Sequence, residues 1–207
     1  MTLARRALLV AGLGAPALWA PAPARAGAQL EEPLADSVRT ALSAAVAERA
    51  PPKPSFDTME ARLAYLRWLG AASERLKRRK AEHHTRVEFL ETLWYESRRA
   101  GLETALILGL VQVESGFRKY AISSAGARGY MQVMPFWARV IGDGDASRLF
   151  HLQTNLRFGC TILRHYLQRE KGDLFLALGR YNGSRGRAEY PNLVFGARRQ
   201  WQVATAG

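Results

Sequence analysis

The sequence is poor in cysteine and in acidic residues. Cys160 is the single cysteine among 207 residues, so no disulfide can form within the chain and core packing must provide the stability. Asp and Glu number 18 against 30 Lys and Arg, and the net charge of +12 favours polyanionic partners. Runs of alternating β-branched residues are also missing, which predicts few strands. Charged residues make up only 23%, which excludes a disordered polyelectrolyte, and the 48% of hydrophobic residues is enough to build a core.

The first 26 residues have the features of a secretory signal peptide. A basic Arg5-Arg6 pair precedes an apolar stretch at residues 7–19, and Ala24-Arg25-Ala26 offers small residues for cleavage after Ala26. The stretch is short for a membrane span, so a retained anchor is the less favoured alternative. The arginine pair leaves open whether the general or the twin-arginine route is used. We therefore expect a periplasmic protein. Removing these three arginines from the 30 basic residues, against 18 acidic ones, leaves a net charge of +9.

The rest of the chain is predicted to be helical. Residues 27–57 form a loosely packed leader, in which Leu34, Val38, Leu42 and Val46 recur every four residues and predict one amphipathic helix. A proline-rich linker at residues 51–54 separates this leader from a domain at residues 58–207. Further helices are predicted to begin near Asp57 or Thr58 and to cover Val87–Ala100, Glu103–Glu114, Phe136–Ile141, Gln153–Glu170, Leu174–Tyr181 and Leu193–Val203. The predicted fold class is mainly α, with an N-terminal helical extension.

One carboxyl group stands at the end of an unusually apolar segment. Residues 103–114 are apolar nearly all round, as in a helix at the centre of a domain, and Glu114 is followed by Ser115 and by a helix-ending Gly116. Burial and the partial negative charge of a helix C-terminus both raise the pKa of such a carboxyl group. A carboxyl group that stays protonated near neutral pH can act as a general acid on a glycosidic oxygen. The alternative is a solvated glutamate at a helix end.

A glycine-bearing block follows at residues 121–135. Gly126 and Gly129 permit tight turns and close approach of a ligand. Gln132 can both donate and accept hydrogen bonds, as sugar hydroxyl and acetamido groups require, and Met131 offers an apolar surface for a sugar face. On its own this block is also compatible with a loop that has no ligand.

Three ordered blocks resemble one protein family. Glu114-Ser115 followed by A-x-S-x-x-G-A-x-G-x-M-Q at Ala121–Gln132 is similar to the core signature of the soluble-type (SLT) lytic transglycosylases. Leu149-Phe150 with Asn155–Gly159 resembles the family's second helical block, and Tyr181-Asn182-Gly183 its tyrosine–asparagine motif. The resemblance covers about residues 102–190. It implies a lysozyme-like helical domain, with Glu114 as the catalytic residue and a substrate-binding set of Ser115, Ser123, Met131, Gln132, Tyr181 and Asn182.

The sequence departs from the family pattern at several positions. Tyr130 stands where the family usually has leucine, Trp137 where threonine is frequent, and Arg180 where alanine is common. Gly183-Ser184 replaces the usual Ala-Gly. These departures bear on subsite preference, and Arg180 leads to the hypothesis that it contacts a carboxylate of a peptide stem.

The resemblance implies cleavage of peptidoglycan glycan strands without water. Ordinary glycosidases use two carboxyl groups. The other candidates, Asp143, Asp145, Asp173 and Glu189, lie in loop-like segments without an apolar frame. The resemblance implies that Glu114 alone acts as acid and then as base, leaving 1,6-anhydromuramoyl ends. Two rivals stay open: a goose-type lysozyme that hydrolyses the same bond, and a non-catalytic glycan-binding accessory of a secretion apparatus.

No cofactor or metal is expected. His83 and His84 are adjacent and cannot share a helix face, and Asp143-Gly144-Asp145 lacks the remaining ligands of a calcium loop. Nucleic acid is not expected as a partner, because the export signal and the lack of a recognised module speak against it. A monomer is expected, and contact with the membrane or with cell-wall machinery is left open.

Overall fold

The computed structural model describes residues 29–47 and 54–202. These residues form eight α helices and one 3₁₀ helix, and their only β pairing consists of isolated bridges. The mainly α fold class with a helical N-terminal extension is therefore confirmed. The predicted signal peptide, Pro51 and Pro52 lie outside the described residues. The helices are α1 (Asp36–Ala47), α2 (Met59–Leu76), α3 (His83–Arg99), α4 (Thr104–Ser115), α5 (Pro135–Ile141), the 3₁₀ helix (Ala146–Phe150), α6 (Leu152–Arg169), α7 (Leu174–Asn182) and α8 (Glu189–Trp201).

Side-chain caps and glycines set several helix ends where the sequence suggested them, whereas α3 and α8 begin four residues earlier than predicted, at His83 and Glu189. The Thr58 hydroxyl accepts a hydrogen bond from the Ala61 amide and begins α2, as predicted. Asp173 caps α7 in the same way, through the Leu176 amide. Gly116 ends α4 with a left-handed φ of 58°. In the described part of the chain, no helix is both long and apolar enough to cross a bilayer.

Helix α4 lies at the centre of the domain, where the all-round apolar sequence placed it. Leu106, Ile107, Leu108 and Leu110 are buried on several sides of the helix. Helix α8 crosses α4 at Gly109, where an added Cβ atom would lie 2.6 Å from the backbone nitrogen of Arg198. The two backbones therefore touch, and only glycine allows this crossing.

A buried ion pair joins α3 to α6. The Arg157 Nη2 atom donates to Glu96 Oε1 over 2.7 Å, and the two side chains are 3% and 0% exposed. Arg157 belongs to the Asn155–Gly159 block that the sequence singled out. Cys160 follows in the same helix as a buried core residue, and burial raises the pKa of its thiol, which disfavours the nucleophilic thiolate.

The segment before α1 is tied to the domain, in contrast to the loosely packed leader that the sequence predicted. The Trp137 indole donates to Gln29 Oε1 over 3.0 Å, and Glu32 pairs with Arg180 over 3.0 Å. Helix α1 packs against α5 and α6, and its Leu42 is buried. Burial of apolar surface and ion pairs together hold this extension on the domain.

Candidate active site

The Glu114 carboxyl group lies in the last turn of α4 and is almost completely buried. The residue is 5% exposed. Its Oε1 atom accepts a hydrogen bond of 2.5 Å from the hydroxyl group of Tyr190, in the first turn of α8. Its Oε2 atom has no hydrogen-bond partner among the described residues. One oxygen is thus oriented by the protein, and the other is buried without a partner among the described residues.

Burial raises the pKa of Glu114 to about 8, in the direction that the sequence predicted. The hydrogen bond from Tyr190 acts in the opposite sense, because it stabilises the carboxylate. The carboxyl group is therefore mostly protonated at neutral pH. A neutral, buried acid whose conjugate base already has one donor in place is suited to both giving and taking a proton.

Tyr190 is the main site residue that the sequence analysis missed. It lies 76 positions from Glu114 and belongs to none of the three blocks. Its ring is 4% exposed, and the close crossing of α4 and α8 brings its hydroxyl group to the carboxyl group. No local pattern signals such a pair, because it depends on how two helices cross.

The glycine-bearing block folds into a tight loop fixed to the end of α4. Isolated bridges pair Arg128 with Ile122 and with Val133. The Ser115 hydroxyl donates to the Tyr130 carbonyl over 2.7 Å, which ties the loop to the residue next to Glu114. Gly129 has a φ of 74°, and an added Cβ atom would lie 2.4 Å from Asn155 Nδ2, so glycine is required there for both reasons.

Asn155, buried in α6, holds this loop from the other side. Its Oδ1 atom accepts from the Met131 amide over 2.8 Å, while Nδ2 donates to the carbonyls of Arg128 and Leu149. A single side chain thus satisfies three backbone groups that the loop would otherwise leave unpaired. The second sequence block therefore supports the first.

Four of the predicted binding residues are buried beside the carboxyl group or its loop. The Gln132 side chain donates to the carbonyls of Ala121 and Gly129, and its backbone φ is 49°. The Tyr181 hydroxyl donates to the Met131 carbonyl over 2.8 Å, and the charge of Glu114 contributes to the raised pKa of this tyrosine. Ser115, Met131, Gln132 and Tyr181 thus belong to the end of α4 or to contacts of the loop fixed to it, and each is 2% exposed or less.

The other two predicted binding residues are half-buried. The Ser123 hydroxyl accepts from the Ala127 amide within the loop. Asn182 Nδ2 donates to the Ser184 hydroxyl over 2.9 Å, and Asn182 Oδ1 has no hydrogen-bond partner in the described part of the chain. Both residues are thus more exposed than the other four, and their side chains bond within their own segments.

Arg180 does not fit the hypothesis that it contacts a stem carboxylate. Its guanidinium group pairs with Glu32 and with Glu170, and its side chain is 19% exposed. Two protein carboxylates therefore already occupy its donors. The sequence could not show this, because Glu32 lies 148 positions away in the N-terminal extension.

The other acidic residues considered as a second carboxyl group serve local structure. Asp143 pairs with Arg148, Asp145 caps the 3₁₀ helix through the Ser147 amide, and Asp173 caps α7. Glu189 is exposed at the start of α8. Within residues 29–47 and 54–202, no three His, Cys, Asp or Glu side chains are grouped so that they could hold a metal ion.

Replacing Tyr190 with phenylalanine is expected to move the alkaline limb of the pH–activity profile upward. In the unchanged protein, activity that needs a protonated Glu114 falls as pH rises through about 8. Removing the hydroxyl group takes away the donor that stabilises the carboxylate, so the pKa rises further. The same loss hinders proton release, and kcat is expected to fall roughly ten-fold. The pH dependence of kcat/KM for both proteins tests this prediction. An unchanged alkaline limb would contradict an effect of Tyr190 on the pKa of Glu114.

Comparisons with known proteins identify the family of the chain. The family model described as "Transglycosylase SLT domain" matches residues 93–202. A membrane-bound lytic murein transglycosylase C from Mannheimia succiniciproducens is 49% identical over 84 residues, which cover 37% of this chain and 24% of that protein. A transglycosylase of Enterobacteria phage PRD1 is 33% identical over 104 residues, covering 50% of this chain and 38% of that one. The chain thus spans between a quarter and two fifths of the length of these relatives.

Among solved structures, an inactive mutant of lytic transglycosylase Slt from Pseudomonas aeruginosa aligns with 68% of this chain and 27% of that chain. The alignment has a TM-score of 0.43 and 24% sequence identity.

Proposed function

The chain belongs to the transglycosylase SLT domain family, and on this premise we propose that it is a peptidoglycan lytic transglycosylase. It cleaves the β-1,4 bond between N-acetylmuramic acid and N-acetylglucosamine without water. The observation that carries the proposal is Glu114, a buried carboxyl group with a pKa of about 8, with one oxygen held by Tyr190 and one oxygen unpartnered among the described residues. A hydrolase with two carboxyl groups needs a second one near the first.

In the proposed first step, protonated Glu114 donates its proton to the glycosidic oxygen, and the bond from that oxygen to C1 of the muramoyl residue breaks. The N-acetylglucosamine portion leaves with the proton. The positive charge that develops at C1 is met by the neighbouring acetamido group of the substrate. Tyr190 stabilises the Glu114 carboxylate that results, because its hydroxyl group already points at Oε1.

In the proposed second step, the carboxylate takes the proton of the muramoyl C6 hydroxyl group, and the C6 oxygen closes on C1. The product is a 1,6-anhydro ring, Glu114 is protonated again, and no water is consumed. The acid is thus restored for the next bond. The raised pKa serves both steps. A carboxylate whose pKa is low is a weak base and would be a poor acceptor for a hydroxyl proton.

The binding residues are proposed to act in two ways. Ser123 and Asn182, which are only half-buried, are proposed to contact the glycan at the edge of the site. Ser115, Met131, Gln132 and Tyr181 shape the wall beside Glu114, and their hydrogen bonds keep the loop in place. Residues 58–207 form the catalytic domain in this proposal, and residues 1–26 direct a monomeric protein to the periplasm.

Product analysis on purified sacculi tests the proposed reaction. Mass spectrometry of the released muropeptides is expected to find 1,6-anhydromuramoyl ends. Reducing muramoyl ends would instead indicate hydrolysis, as in goose-type lysozymes. Binding to sacculi without any release would indicate a non-catalytic accessory. A digest with a known muramidase provides the matched control for reducing ends.

A further inference from the structure

Residues 29–32, which precede α1, lie against the domain as an extended segment with acidic side chains. We call these residues the N-terminal strap. Glu31 pairs with Arg139 of α5 over 3.6 Å, and Glu32 pairs with Arg180 of α7 over 3.0 Å. The strap therefore spans from α5 to α7, the two helices that follow the Met-Gln block and carry the Tyr-Asn motif.

Gln29 is the most deeply buried residue of the strap. It is 4% exposed, and its Oε1 atom accepts a hydrogen bond over 3.0 Å from the indole of Trp137, which is 3% exposed. Its Nε2 atom makes no hydrogen bond of normal geometry with the described residues. A buried donor without a partner costs free energy, so this contact holds the strap less firmly than its burial suggests.

The Gln29 side chain also acts on Tyr181. Burial is the main cause of the raised pKa of Tyr181, the charge of Glu114 adds to it, and the side chain of Gln29 opposes both. The Tyr181 hydroxyl group donates to the Met131 carbonyl over 2.8 Å. The strap thus reaches the buried cluster that contains the catalytic carboxyl group.

Two positions at which the sequence departs from the family pattern hold the strap. Trp137, where threonine is frequent, binds Gln29, and Arg180, where alanine is common, binds Glu32. Alanine has no donor, and threonine is much shorter than tryptophan, so the usual residues would not make these contacts. Both departures therefore bring a segment of the chain itself to positions that the resemblance relates to substrate binding.

The catalytic carboxyl group is closed to a polymer while the strap is in place. Glu114 is 5% exposed, Tyr181 is 0% exposed, and Glu114 Oε2 is buried without a partner among the described residues. A general acid must come within hydrogen-bond distance of the oxygen that it protonates. Some part of the structure therefore moves before a glycosidic oxygen can approach Glu114.

The strap is the part that can move at least cost. Residues 29–35 have no regular secondary structure. The side chains of the Glu31–Arg139 pair are 55% and 61% exposed, and those of the Glu32–Arg169 pair are 33% and 40% exposed. Ion pairs at the surface contribute little to stability, and segments that open locally are held by few buried contacts.

We propose that the N-terminal strap is an autoinhibitory segment, which covers the glycan site at Trp137 and Tyr181 and must leave before a glycan strand can reach Glu114. This inference rests on the proposed function, because it takes the ligand of the site to be a glycan. The ligand binds only to molecules whose strap has left, so the open fraction sets the apparent affinity. The bound strand then takes the place of the strap as the cover of the carboxyl group.

A strap-release variant with a matched control tests the proposal. Gln29→Ala/Glu31→Gln removes one hydrogen bond and one ion pair of the strap, and it leaves Glu32 in place. Glu60→Gln/Gln202→Ala makes the same two changes at exposed positions in α2 and after α8. The ligand is the tetramer of N-acetylglucosamine, which carries no charge, and titration calorimetry measures its Kd.

The release variant is expected to bind the tetramer roughly five-fold more tightly than the unchanged protein, because a weaker strap raises the open fraction. The control binds the tetramer as the unchanged protein does. Raising NaCl from about 0.05 M to about 0.5 M screens the ion pairs of the strap, and the unchanged protein is then expected to bind roughly three-fold more tightly. The release variant, which has lost one of these pairs, gains less.

A nitroxide label on Leu30→Cys reports the movement itself. Leu30 is 67% exposed, so the label does not displace the strap, and Cys160, the only native cysteine, is buried. Saturation with the tetramer is expected to convert the electron paramagnetic resonance spectrum of the label to that of a mobile segment. A spectrum that the bound tetramer leaves unchanged would contradict the proposal.

Four affinity results would also overturn the strap as an inhibitory cover: equal binding by the release variant and the unchanged protein, weaker binding by the release variant, the same gain in the control, or no binding of the tetramer by any of them. Failure of the proposed function is seen separately, on sacculi. Tighter tetramer binding by the release variant, with no cleavage of sacculi by any of the proteins, would keep the strap as the cover of a glycan site and remove the proposed reaction.

Discussion

Glu114→Gln is expected to abolish cleavage of glycan strands, with kcat falling by roughly a thousand-fold or more, at the upper range for loss of a general acid. Glutamine keeps the shape of the side chain and one oxygen that can accept from Tyr190, but it has no proton of suitable acidity to give. In the proposed reaction the same group serves both steps, so no other residue can compensate for either. Release of soluble muropeptides from sacculi, followed over hours, measures the loss.

Stability provides the control for this variant. A buried carboxyl group whose pKa is about 8 in the folded chain, against an ordinary value of 4.5, favours folding fully only below pH 4.5. That contribution is lost as pH rises through about 8, because the unfolded chain releases the proton more readily. Glutamine does not ionise, so Glu114→Gln is expected to be at least as stable as the unchanged protein at pH 8. Unfolded protein, or residual cleavage within ten-fold of the original rate, would contradict the assignment of Glu114.

Arg157→Met is expected to lower the free energy of unfolding by about 3–5 kcal/mol, because it leaves the carboxylate of Glu96 buried without its main partner. Glu96 is fully buried, and the Arg157 Nη2–Glu96 Oε1 distance is 2.7 Å. Arg99 Nη1 lies 3.9 Å from the other oxygen of Glu96 and offsets part of the loss. Urea unfolding followed by circular dichroism measures the change.

A double variant separates two contributions to the lower stability: the loss of the ion-pair attraction, and the cost of leaving the Glu96 carboxylate buried without a partner. Glu96→Gln/Arg157→Met removes both charges, and it is expected to be more stable than Arg157→Met alone, since no unpaired carboxylate remains. If the single variant unfolds within 1 kcal/mol of the original protein, the ion pair is not a main link between α3 and α6.

The features that the sequence predicted are those that neighbouring residues encode. The apolar run before Glu114 indicated a buried helix, and Gly116 indicated its end, because both depend on local periodicity and local backbone geometry. The direction of the Glu114 pKa shift was predicted from burial and from the helix C-terminus, and burial is its main cause in the structure. The helix at residues 36–47 followed from apolar residues spaced by four.

What the sequence did not indicate depends on contacts across the fold. Tyr190 reaches Glu114 through the crossing of two helices, and Glu32 reaches Arg180 from the N-terminal extension. Gln132 suggested a sugar ligand by its chemistry, yet its amide donates to two carbonyls of its own loop. A residue type with several hydrogen-bonding possibilities does not reveal its partner, because loop and ligand compete for the same donors.

The contact between α4 and α8 at Gly109 makes the protonation of Glu114 depend on how closely two helices pack. The glycine lies five residues before Glu114 on α4, and the backbone it touches belongs to α8, the helix whose first turn holds Tyr190. The burial of Glu114 therefore depends on contact between the backbones of α4 and α8. Because burial raises the pKa of this carboxyl group, the same contact keeps it protonated for the reaction. A slight parting of these helices would let water reach Glu114 while the other helices still hold together. We therefore expect the raised pKa of Glu114, and the activity that depends on it, to be lost under milder conditions than those that unfold the domain.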